Sequence, residues 1–121
     1  MASHNDLGTW GENVACEKLV AEGCAIMERN WRSGHYEIDI IAQRGDRIIF
    51  AEVKTRRSDA DDAYGAFDVQ KMRRLGRAAT AYLRAYDIPL EPQFDFFAVI
   101  GTPNDYELTH DEDILMPLSS R

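Results

Sequence analysis

The chain has 121 residues, 45% of them hydrophobic and 29% charged, which is enough for one core and too apolar for a disordered tract. No run approaches the roughly 18 apolar residues of a membrane span, and the start, MASHNDLGTW, lacks the character of a secretion signal, so a cytoplasmic protein without membrane contact is expected. The net charge of −7 would disfavour nucleic acid if it were spread evenly, but residues 85 to 121 hold eight acids against one base, Arg121, and the rest of the chain is balanced.

In chain order, residues 8 to 22 carry Trp10, Val14, Leu19 and Val20 at roughly helical spacing, and Gly23 supplies a helix stop. Cys24 to Trp31 reads as a short strand. Cys16 and Cys24 form no CxxC pair, so buried reduced thiols are expected and not a disulfide or a zinc site. Two alternating runs, HYEIDIIAQ and RIIFAEVKT, flank Gly45-Asp46 and predict a hairpin. Residues 56 to 67 read as a polar loop, and Asp68 can cap a helix reaching Tyr86 with Val69, Met72, Leu75, Ala79, Tyr82 and Leu83 on one face. Pro89 and Pro92 end that region. FDFFAVI, Phe94 to Ile100, reads as a strand buried on both faces, and residues 102 to 121 add one short edge strand and a tail. The order is α-β-β-β-α-β, a small three-layer α/β domain with a mixed sheet of four to five strands. A single domain spans 1–121, with its core from about 7 to 101 and an acidic segment over 102–121.

The hairpin holds the chemistry. With Gly45-Asp46 as a two-residue turn, Arg44 faces Arg47, Asp39 faces Glu52 and Glu37 faces Lys54. Alternation then sends Glu37, Asp39, Glu52 and Lys54 to one face, and Ile38, Ile40, Ile49, Ala51 and Val53 to the other, which is core by composition. Opposed carboxylates, with Cβ atoms about 4.5–5.5 Å apart, repel. A divalent ion offsets that repulsion, since Mg²⁺ or Mn²⁺ is held by a few carboxylates with water and phosphate oxygens completing its shell. Lys54 stands beside Glu52, within reach of a phosphoryl oxygen or a water. This set suits metal-assisted hydrolysis of a phosphodiester. The plainer alternative is a solvated charged face. Ile41 and Phe50 on the same strands, and the scarcity of lysine in the chain, weigh against it.

Asp39 followed by Glu52-Val53-Lys54 resembles the D…ExK pattern of the PD-(D/E)XK nuclease superfamily. The surrounding residues are similar to the uncharacterised YraN-like family of small bacterial proteins. Its marks are Gly11-Glu12, Asn30-Trp31-Arg32, Glu37-Ile38-Asp39, Phe50 to Arg56, Lys71 and Phe94-Asp95, spread from about Leu7 to Ile100. The resemblance implies a restriction-endonuclease-like fold and Mg²⁺-dependent cleavage of DNA, with branched or damaged DNA suggested by similar Holliday-junction resolvases. In those resolvases a first-helix glutamate joins the metal, and Glu12 is the match. Asp39 and Glu52 then complete the metal ligands, Lys54 is the catalytic lysine, and Glu37 belongs to the same active strand. Tyr36 stands where glycine is usual and Ala51 where valine is common; the first departure bears on the backbone before the active strand, not on the ligands. A resolvase-like role also implies a homodimer, with Phe96, Phe97 or the C-terminal tail as its interface.

Seven of the fourteen bases lie between Lys54 and Arg77. Lys71, Arg73, Arg74 and Arg77 fall outside the apolar stripe of the second helix, and with Arg56 and Arg57 they are the nucleic-acid-binding candidates. Asp59, Asp61 and Asp62 do not make a calcium loop, because Tyr64 occupies the place of its glycine. His4 and His110 read as solvated or structural, and His35 stands two residues before the site strand. The rival function is a non-catalytic nucleic-acid-binding or protein-interaction module on a nuclease scaffold.

Overall fold

The apolar periodicities assemble into two helices packed on opposite faces of one sheet. A computed structural model describes residues 4–58 and 69–114, with side chains from Leu7 onward. Its elements are α1 (His4–Ala21), β1 (Ala25–Ser33), β2 (Tyr36–Arg44), β3 (Arg47–Arg56), α2 (Val69–Tyr86), β4 (Glu91–Thr102) and β5 (Asp105–Asp111). The strands lie in the order β1-β2-β3-β4-β5, antiparallel throughout except for the parallel pair β3–β4 that α2 bridges. This is the three-layer α/β arrangement expected from the sequence, completed by the edge strand β5. No helix among the described residues is long and apolar enough to cross a membrane.

Gly23 ends α1 in a left-handed conformation, φ 91°. Its N–H donates to Val20 O and the N–H of Cys24 to Leu19 O, at 3.0 and 2.9 Å, so two otherwise orphaned carbonyls are satisfied. The chain then turns directly into β1. Val14, Ala15, Cys16 and Leu19 of α1 pack with Ile40, Ala42, Ile49, Ala51, Val53, Phe97 and Val99 on one face of the sheet. On the other face Leu75, Ala78, Ala79 and Tyr82 of α2 cover Trp31, Ile38, Ile41, Ile48 and Phe50. Cys16 and Cys24 are buried and unbridged, and burial pushes both thiols up.

Several expectations need correction. Val20 and Val69 are exposed, because each lies just off the stripe its helix turns to the sheet. β4 begins at Glu91, so Pro92 lies inside the strand, near its start where a missing N–H is tolerated. Ile38 packs on the α2 side with Trp31, its partner in β1, and not with Ile40. Strict alternation fails where β2 passes the positive-φ residue Asn30 of β1. Phe96 and Phe97 are buried in the chain's own core, so neither is an exposed interface. The capping residue Asp68, the acidic loop of Asp59, Asp61 and Asp62, and the C-terminal tail from residue 115 lie outside the described residues.

Candidate functional site

Gly45 (φ 63°) and Asp46 form the hairpin turn, and pairing runs in the expected register from Arg44–Arg47 to Ile40–Ala51. There the ladder stops. The N–H of Val53 donates to Asp39 Oδ2 at 2.8 Å, so a side chain takes the bond that a backbone carbonyl would have accepted. Asp39–Glu52 and Glu37–Lys54 are therefore not ladder partners, contrary to expectation. Two carboxylates held face to face would repel, and parting the strands gives them room.

The opening is a cavity of about 270 Å³ lined by Glu37, Asp39, Glu52, Val53 and Lys54 of the hairpin and Lys71, Arg74 and Leu75 of α2. Lys54 Nζ lies 3.2 Å from Glu52 Oε1, each side chain about one-fifth exposed. Burial, then the negative charge of Glu52, push the Asp39 carboxyl up to about 7; the Val53 N–H and the Lys54 ammonium pull it back only in part, and Glu12 adds to the rise. At Asp39 itself, burial and the charge of Glu52 thus outweigh what the Val53 N–H and Lys54 offset. Asp39 and Glu52 bring two carboxylates to this cavity, which has room for water, and a hard divalent cation takes such oxygen donors. Glu12, expected as a third ligand, is not among the lining residues.

Glu12 arrives from the opposite face of the sheet. Its Oε1 accepts from Asn30 Nδ2 at 3.0 Å and lies 3.6 Å from Arg29 Nη2. Gly11, the residue before it, lets α1 approach Thr55 of β3 so closely that a Cβ there would overlap the threonine side chain. Asn30 and Arg29 are neighbours of the site to which residue patterning assigns no role. In the sequence, Asn30 is visible only as part of a family motif.

The other candidates divide. Glu37 lies at the exposed rim, 3.5 Å from Arg32 Nη2. Lys71 and Arg74 line the cavity, while Arg73 and Arg77, expected to act with them, are exposed and do not. Arg56 donates through Nη1 to the carbonyl of Thr55 at 2.8 Å, and Arg57 is exposed at the end of β3. His35 is exposed and lies against the Tyr36 ring, outside the cavity.

His110, for which the sequence left a solvated and a structural reading open, is structural, with a side chain only 3% exposed. It belongs to β5, stacks on Phe97 at 3.9 Å and brings Nε2 to 2.7 Å from Oδ2 of the fully buried Asp95. Burial would raise the Asp95 carboxyl, but the hydrogen bonds from His110, Gln93 and the Asp113 N–H outweigh it and hold the group below its ordinary value. The signal for this pair in the sequence is an Asp inside an otherwise apolar strand.

The model of a family described as "Uncharacterised protein family UPF0102" matches residues 11–99 of the chain. A UPF0102 protein of Bacteroides thetaiotaomicron is 38% identical over 118 residues, covering 97% of this chain and 98% of that one. One of Bacteroides fragilis is 40% identical over 119 residues, again covering 97% and 98%. A solved structure of Pyrococcus furiosus SfsA in complex with Ca²⁺ aligns with a TM-score of 0.39 and 14% identity, over 91% of this chain and 65% of that one.

Proposed function

The chain belongs to the uncharacterised protein family UPF0102, and from the cavity between the hairpin and α2 we propose that it is a Mg²⁺-dependent nuclease that hydrolyses phosphodiester bonds in DNA. The observation that carries this reading is the convergence of Asp39, Glu52 and Lys54 with Lys71 and Arg74 on one cavity. Acidic donors for a cation and basic donors for a phosphate line the same cavity. Asp39 and Glu52, supported by Glu12, would hold Mg²⁺ or Mn²⁺, which when bound supplies charge neutralisation at the phosphate and acidifies water. Lys54 orients the attacking oxygen and stabilises the charge that builds on the phosphoryl group. Lys71 and Arg74 hold the strand's phosphates, and Arg56 and Arg57 extend that hold along the end of β3. Glu37, at the rim, orients Arg32 toward an incoming backbone.

The test is cleavage of linear, nicked and four-way-junction DNA, with RNA as control, in Mg²⁺ and Mn²⁺, alongside calorimetric metal binding. Glu52→Gln is expected to lose both metal binding and cleavage, because an amide cannot replace a charged ligand. Lys54→Ala is expected to keep metal binding and lose turnover. Cleavage equal in both variants and the parent would overturn the catalytic reading. Metal and DNA binding with no cleavage of any substrate would assign the non-catalytic module instead.

A further inference from the structure

We propose a second metal site, for Zn²⁺, on the α1 face of the sheet, built from Glu22, His110 and Glu112. One ligand atom from each of these residues lies within 4.8 Å of the other two, close enough for modest side-chain rotation to bring all three onto one ion. Glu22 follows the last residue of α1, His110 lies near the end of β5, and Glu112 follows that strand. An ion there would tie the end of the first helix to the edge of the sheet.

The imidazole is built for this role. Asp95 is an acceptor at 2.7 Å from Nε2, and the Lys18 ammonium, which can only donate, is 3.1 Å from Nδ1. Both contacts are satisfied by the neutral ring carrying its proton on Nε2. That tautomer leaves the Nδ1 lone pair aimed at the cluster, and a carboxylate behind the far ring nitrogen is the usual support of a metal-bound histidine. The ring cannot drift, being 3% exposed and stacked on Phe97. Glu22 offers a second indication: its Oε1 is buried and has no hydrogen-bond partner, although Oε2 pairs with Lys18 at 2.9 Å.

Lys18 occupies the position a cation would take. Its Nζ touches both Nδ1 and Glu22 Oε2, so the chain's own ammonium satisfies the cluster. The stem is about one-third exposed, which lets it swing out to solvent when a divalent ion arrives. A histidine nitrogen with two carboxylates favours Zn²⁺ over Mg²⁺, which prefers oxygen donors alone. This separates the site from the all-oxygen cavity at Asp39 on the other face.

The experiment is Zn²⁺ titration by calorimetry and thermal shift in the Glu52→Gln chain, where the other cavity has lost a carboxylate, with and without further changes. One equivalent is expected to bind and to raise the melting temperature. Glu112→Gln should weaken it by about tenfold or more, through loss of a ligand. Lys18→Met should tighten it, by removing the internal competitor. Glu112 is exposed, so its variant tests the site without the packing loss that His110→Gln would bring at Phe97. Zn²⁺ affinity unchanged by both Glu112→Gln and Lys18→Met would overturn the proposal, as would the absence of any binding in the Glu52→Gln chain. Neither result would touch the nuclease reading, which rests on Asp39 and Glu52.

Discussion

Asp39 concentrates the electrostatic cost of the cavity. Its carboxyl, ordinarily near 3.8, is pushed up to about 7 by burial and by Glu52, so the fold favours the protonated form. The stability associated with that preference is present below the ordinary value and is lost as pH rises through about 7. Asp95 acts in the opposite sense: its lowered carboxyl contributes stability above the ordinary value, lost as pH falls. Comparing variant with parent therefore isolates Asp39. Asp39→Asn keeps the shape and can still accept the Val53 N–H, while it removes the repulsion. In metal-free protein at pH 8 it is expected to raise the melting temperature by about 2–6 °C, and to abolish divalent binding. A lower melting temperature would mean that the charge is better compensated than these contacts indicate. In the parent, Mg²⁺ affinity measured by calorimetry should rise between pH 6 and pH 8, as the ion replaces the Asp39 proton.

Each helix carries a prediction of its own. Gly→Ala within a helix ordinarily stabilises by about 1 kcal/mol. At Gly11 the added methyl would overlap Thr55 Oγ1 and sit 3.2 Å from Thr55 Cβ and Cγ2, and such overpacking costs about 1–3 kcal/mol. Gly11→Ala should therefore lower the melting temperature and displace Glu12 from Asn30 and Arg29, and adding Thr55→Ala should restore most of the loss. For α2 the relevant measurement is DNA affinity against salt, by fluorescence anisotropy. Binding to duplex DNA changes by a slope of about −0.9 per neutralised phosphate. Lys71→Ala with Arg74→Ala, which empties the basic wall of the cavity, should flatten the slope by about 1–2 units. Arg73→Ala with Arg77→Ala should change it less, because these residues stand outside the cavity. Equal effects would spread the phosphate contacts along the whole helix.

Across the whole molecule, chemistry is divided between the two sides of one sheet. The acidic hairpin and the basic wall of α2 share one side; His110, Lys18 and Glu22 lie on the side of α1. The division follows from α1 and α2 covering opposite faces; within the sheet β3 is central, β2 and β4 are also paired on both edges, and β1 and β5 are outermost. Hydrogen exchange should reflect it: amides of Ile48 to Ala51 and Phe96 to Val99 are expected to exchange slowest, and those of β1 and β5 faster. Faster exchange at Phe97 than at Met27 would contradict this order. The net charge of −7 is compatible with DNA binding because Lys54, Lys71 and Arg74 gather on one cavity while the chain's excess of acids falls beyond Tyr86.

The hairpin was legible in the residues because a strand's side chains alternate with period two. Given Gly45-Asp46 as the turn, the register from Arg44–Arg47 to Ile40–Ala51 follows, with Ile40, Ile49 and Ala51 gathered on one face. The two helices and the buried β4 followed from periodicity in the same way, and the D…ExK pattern already picked out the cavity's residues. Other features depended on residues far apart in the chain. The parting of β2 from β3 at Asp39, the grip of Asn30 on Glu12, the move of Ile38 to the α2 side and the split of Lys71 and Arg74 from Arg73 and Arg77 all required the packed molecule. His110 is the clearest case. Its acidic surroundings left a solvated and a structural reading open, and β5 decided for the second by pairing with β4 and carrying the imidazole onto Asp95 and Lys18. Local patterning reports which face a residue turns to, because that is a property of its own strand or helix; it cannot report what waits on that face, because the neighbour is brought there by the fold.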